Sequence, residues 1–148
     1  MVNRMTYSSI GKMFLFFYDP KGKQTLPYYD TFPLVFPIGL EAGSMLGINM
    51  HYLPPVLRAK LMDALYTITN NNKFDDTTKI KLSYQILKSA AKYRYFKPCI
   101  KRYLFPHVRS RFYNVKPTEW DTVLMLPLSR FKKATATKVY QEALEKIH

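Results

Sequence analysis

"SMLGINMHYLPPVLRAKLMDALYTITNNN", residues 44–72, contains the change of period that decides the fold. Its first ten residues are a β-rich apolar run, entered through Gly43 and carrying Gly47, where a bulge or a close backbone approach is expected. From Pro54 the pattern is helical: two prolines open it, and Leu57, Leu61, Ala64, Leu65 and Ile68 recur on one face. The asparagines at 70–72 stop it. Toward the N-terminus, "KMFLFFYD" reads as a strand ended by Asp19 and Pro20, with "PKGK" as the turn. "FPLVFPI" reads as another, bracketed by Pro33 and Pro37, and therefore as an edge or irregular strand.

Toward the C-terminus, residues 77–92 are expected to form a second helix, with Ile80, Leu82, Ile86, Leu87 and Ala90 on its apolar side. "FKPCIKRYL" reads as a short third helix, with Pro98 near its first turn. "RFYNV" and "WDTVLMLPL" read as strands on either side of Lys116, Pro117 and Thr118. "TATKVYQEALEKI" closes the chain as a helix, with Val139, Tyr140, Ala143, Leu144 and Ile147 inward and Thr135 or Thr137 as cap. The expectation is one α+β domain over 1–148, with a small antiparallel sheet or partly open barrel and three to four helices. Strands occupy about 11–53, a helical basic segment 54–106, and strands plus the last helix 110–148. The N-terminal "MVNRMTYSSIGKM" enters an apolar run almost at once, which reads as a late start relative to longer relatives.

A hydrophobic content of 47% in 148 residues sets the chain apart from disordered, charge-dominated sequences. A single cysteine, Cys99, excludes an internal disulfide and any zinc site needing two thiolates. No apolar run approaches the roughly 20 residues of a membrane span, so a soluble chain without a membrane partner is expected. The net charge of +13 points to polyanionic partners.

The basic charge is concentrated. From Thr77 to Thr118 there is no carboxylate, while eleven of the 23 Lys and Arg residues fall there. A helix needing only solubility would mix signs, because Glu and Lys four apart attract. Lys81, Gln85, Lys88 and Lys92 instead form one stripe opposite the apolar face of the second helix. The candidate phosphate contacts are Lys81, Lys88, Lys92, Arg94, Lys97, Lys101, Arg102, Arg109 and Arg111. Tyr95 and Tyr103 are candidates for stacking on a terminal base pair, although aromatics in such a tract are more often core. A second basic cluster is "RFKKATATK"; Lys21 and Lys23 do not stand out from a solvated loop.

No catalytic constellation emerges. The three histidines are far apart, the ten acids are scattered, and the five glycines form no phosphate-cradling loop. Asp19, Lys21 and Asp30 mimic part of a carboxylate-x-lysine nuclease signature, a match that arises easily by chance. Cys99 reads as a buried inert thiol. No cofactor and no metal are expected.

"FFYDPKGKQTLPYYDTFPLVFPI", "GINMHYLPPVLRAKLMDALY" and "LPLSRFKKATATKVYQEA" together resemble the DNA end protector protein family of T4-like tailed phages. The resemblance runs from about Gly11 to Ala143. It implies a virion protein on the termini of linear double-stranded DNA, entering the host cytoplasm with the genome and blocking an exonuclease. It carries no residue-level site map. The alternatives are a structural protein of head, neck or tail contacting packaged DNA, and a metal-dependent nuclease. Oligomeric state is not legible.

Overall fold

In the computed structural model, residues 5, 9, 11–60, 63 and 97–147 are described. The expected helix over 77–92, most of the one beginning at Pro54, and the candidates Lys81, Lys88, Lys92, Arg94 and Tyr95 lie outside them.

The described strands are β1 (Met13–Leu15), β2 (Tyr29–Asp30), β3 (Leu34–Glu41), β4 (Ser44–Asn49), β5 (Ile100–Leu104), β6 (Tyr113–Val115) and β7 (Phe131–Lys132). The helices are α1 (Trp120–Met125) and α2 (Ala136–Ile147), with residues 55–60 also helical. Five strands form an antiparallel sheet in the order β5-β4-β3-β1-β6, and β2 pairs with β7. The domain is α+β with open sheets rather than a closed barrel.

The β3–β4 hairpin lies at the centre of this sheet. Glu41 pairs with Ser44, leaving a two-residue turn in which Gly43 takes φ +79, the left-handed conformation open to glycine. The first five residues of β3 are all buried, without alternation, because both sheet faces are covered. Leu34 and Phe36 join Met13, Ile48, Trp120, Leu124 and Val139 on one side. Val35 joins Phe14, Phe16, Met45 and Tyr103 on the other.

Of the two expectations for the strand carrying Pro37, one holds: β3 is irregular but not at an edge. β1 pairs only with Leu34 and Val35, so Pro37 lies beyond it, and the β3–β4 register shifts between Pro37 and Gly39. A proline is tolerated where a ladder hydrogen bond is already missing. Gly47, opposite Lys101, is the expected close approach: an added Cβ would collide with Val35 Cγ1 and lie 3.1 Å from Phe36 O.

Two expectations are corrected. "FKPCIKRYL" is not a helix: a 3-10 turn at Lys97–Cys99 leads into β5. Its side chains alternate, so Tyr103 pairs beside Met45 and Ile100 beside Ile48, and β5 completes a side of β4 that a helix would leave unbonded. "WDTVLMLPL" is not a strand: Pro117 opens a 3-10 turn that runs into α1. Trp120 and Leu124, four apart, are the buried pair, and Trp120 Nε1 donates to Val115 O at 2.9 Å. Leu126, extended before Pro127, ends the helix.

α2 forms where the spacing places it, and Thr135 Oγ1 accepts from Lys138 N at 3.2 Å as its cap. Val139 and Ala143 are buried, whereas Leu144 is exposed, so the inward stripe is narrower than expected. Buried Arg58 ties the elements together. It donates to the carbonyls of Leu53, His51 and Leu124 and to Tyr140 Oη, all within 3.3 Å.

Candidate nucleic-acid interface

β5 is the outermost strand of the described sheet on its side, and its alternation sends Lys101 and Arg102 in opposite directions. Lys97 stands in the turn before it. The fold adds two cations that sequence spacing does not connect with this tract: Lys146 from the last turn of α2 and Lys21 from the loop between β1 and β2. Lys97, Lys101 and Lys146 line one surface hollow, and Lys21, Lys101 and Arg102 line a second. Five cations from three distant stretches of chain therefore surround β5.

Like charges at close range register on Lys101. Burial, reinforced by Lys146, holds its pKa below the ordinary lysine value, against an opposing pull from Cys99. Its ammonium sits 4.4 Å from the Tyr52 ring centroid, a cation–π contact that substitutes for part of the lost hydration. Arg102 lies 3.2 Å from Glu41 and 3.1 Å from Ser44 Oγ. The Arg102 and Glu41 side chains are 42% and 69% exposed, so the pair is a weak surface one that a phosphate can displace.

Arg109 is partly engaged, 3.7 Å from Asp19 and donating to Pro106 O at 2.7 Å. Arg111 is exposed, and no described contact ties it to the cations around β5. In the second basic cluster, Lys133 at φ 70 spends its ammonium on the carbonyls of Lys23, Gln24 and Leu26. It is a strut for the loop.

Tyr103 is corrected as a stacking candidate. It is 5% exposed, its ring lies edge-on to Phe16 and Tyr18, and its hydroxyl accepts from Asn49 Nδ2 at 3.0 Å. Phe105 and Phe112 also turn inward onto that cluster. Within β5 the strand period turns Tyr103 inward and leaves Arg102 exposed.

Behind Tyr103 lies a polar network centred on Asp30, 3% exposed. Its Oδ1 accepts from the backbone N–H of Phe32 at 2.9 Å and of Arg130 at 3.0 Å. Its Oδ2 accepts from Asn49 Nδ2 at 3.2 Å and faces His51 Nδ1 at 2.7 Å. Burial pushes the Asp30 carboxyl up, but His51 and the two backbone N–H groups outweigh it and hold the pKa below the ordinary value. Because an ionised carboxylate only accepts, His51 Nδ1 is the donor. His51 Nε2 is buried without a hydrogen-bond partner among the described residues.

This network takes Asp30 out of the nuclease-like trio, since both its oxygens are occupied. Asp19 is on the surface, paired with Lys23 at 2.9 Å. Among the described residues no three His, Cys, Asp or Glu side chains come together as a metal site. Cys99 is buried.

These features define a small, strongly basic α+β protein in which five of the described cations, Lys21, Lys97, Lys101, Arg102 and Lys146, gather around the outermost strand of its sheet. The chain belongs to the Phage T4 terminal DNA protecting protein family, which it matches over residues 2–144. Comparison with curated proteins and with solved structures returned no match. Membership implies a DNA-binding bacteriophage protein of the T4-like group whose partner is the DNA terminus. Among the described residues no helix is long and apolar enough to cross a membrane.

Proposed function

We propose that this protein binds the ends of double-stranded phage DNA without reading sequence and thereby shields them from host exonuclease, acting by occupancy rather than turnover. In this reading it travels in the virion and works in the host cytoplasm after genome delivery. The observation that carries the proposal is the gathering of Lys21, Lys97, Lys101, Arg102 and Lys146 around β5, with Glu41 as the one described carboxylate in an ion pair with them. Lysine and arginine grip phosphates by charge, and phosphates repeat whatever the sequence.

The test is digestion of linear duplex by a processive exonuclease with and without the protein. Protection is expected, and the triple variant Lys97→Glu, Arg102→Glu, Lys146→Glu is expected to lose it. With about six phosphates engaged, log affinity falls against log salt with a slope near −5, and each reversed contact reduces the slope by about 1. A slope near zero, or digestion at the unprotected rate, overturns the proposal.

A further inference from the structure

Between the loop after β1 and strand β5 lies a cavity of about 300 Å³, at the small end of the range for ligand sites. Its wall is tyrosine: Tyr28, Tyr29 and Tyr52 line it, with Tyr18 and Tyr103 deeper in the core. Tyr18 and Tyr103 use their hydroxyls internally, on Leu104 N and Asn49 Nδ2. Tyr52 is held in place by Lys101 on its ring and by Phe131 edge-on at 5.2 Å. Tyr28 and Tyr29 are half-buried. Lys21 and Arg102, both exposed, belong to the same lining. Asp30 reaches the wall too, but its oxygens are taken by the donors described above.

An aromatic wall beside two exposed cations suits a flat ring that carries a phosphate. A base paired inside a duplex cannot present itself this way. The last nucleotide of an end can, because an unpaired or frayed base is the least costly to unstack. We infer that this cavity takes the unpaired terminal nucleotide of a DNA end, with its base against Tyr28 and Tyr29 and its phosphate on Lys21 and Arg102. The inference rests on the proposed function and gives it a means of preferring ends: the phosphate grip is the same everywhere on DNA, whereas the cavity is filled only at a terminus.

The experiment compares affinities for a linear duplex ending in one unpaired nucleotide and for a covalently closed circle of the same sequence. It uses wild type and two variants that keep every cation: Leu26→Trp, which fills the cavity from its rim, and Tyr29→Leu, which removes ring surface. Wild type is expected to prefer the open end about tenfold, the scale of one stacked base. Both variants should lose that preference while binding the circle as wild type does. A 5-iododeoxyuridine at the terminal position should photocrosslink, in the wild-type protein, to Tyr28, Tyr29 or Tyr52, a readout that does not depend on how a variant folds. A crosslink elsewhere, or variants that retain the preference, overturns the cavity assignment while end protection stands. Equal wild-type binding to circle and open end overturns both. Free dAMP shares the chemistry; if it binds alone as tightly as the DNA end, the site is for a nucleotide and the inference fails.

Discussion

Asp30→Asn is the substitution whose cost the structure lets one work out. The change keeps the shape of the side chain but replaces one acceptor oxygen with a donor. If the amide oxygen stays with the backbone N–H groups of Phe32 and Arg130, the new NH2 faces two existing donors, Asn49 Nδ2 and His51 Nδ1. His51 then has to become an acceptor at Nδ1 and move its hydrogen to Nε2, where no described residue accepts it. Asn49 retains Tyr103 Oη but loses its second partner. Two buried donors left unsatisfied, at roughly 1–3 kcal/mol each, give a loss of about 3 kcal/mol. For 148 residues, unfolding entropy of about 2.1 cal/mol/K per residue turns this into a fall in Tm of about 10 °C. The assay is thermal unfolding followed by circular dichroism across pH. Because folding lowers the Asp30 pKa, its contribution is complete above the ordinary value of 3.8 and is lost as pH falls through the lower folded value. The gap between wild type and variant should therefore hold at neutral pH and narrow below about pH 4. A drop smaller than about 3 °C at pH 7, or a gap that does not change on acidification, refutes the reasoning.

Gly47→Ala should lower the urea midpoint, at a cost of about 1–3 kcal/mol, since the new methyl meets Val35 Cγ1 and the Phe36 carbonyl inside the sheet. An unchanged midpoint would show that Val35 moves aside freely. Burial pushes the Cys99 thiol up to about 12, so the native protein should not react with Ellman's reagent at pH 8 and should label only as fast as it unfolds. Stoichiometric labelling within seconds in native buffer would contradict the buried placement.

The arrangement around β5 bears on how a basic protein remains folded. Lys101 is half-buried among apolar neighbours and close to Lys146, a costly position for an ammonium group. The Tyr52 ring and the chain packing around Cys99 hold it there. Beside it, the Asp30 network joins β2, β4 and the 3-10 turn Met50–Tyr52, which carries His51, through buried hydrogen bonds. Through Asn49 the same network holds the Tyr103 hydroxyl at the back of the cavity, and a supported wall is the condition for a small site to select a ligand by shape.

Several local patterns were legible where one chain segment decided the outcome, although the helix α1 behind Pro117 read as a strand. Strands β3 and β4 follow from the apolar runs on either side of Gly43, and α2 from its period and its threonine cap. The concentration of positive charge between Thr77 and Thr118 is also a property of the order of residues alone. Tertiary structure decided the rest. Residues 96–104 carry both helical and alternating patterns, and the open side of β4 selected the strand; that choice sent Tyr103 inward and Arg102 outward. Pro37 could occupy an interior strand because β1 is short, a fact written in another segment. Lys21 and Lys146 became neighbours of Lys101 only when both ends of the chain packed against β5. Spacing along a chain constrains directions within one element, whereas a cluster drawn from three elements exists only once hydrogen-bonded strands and packed faces have set those elements side by side.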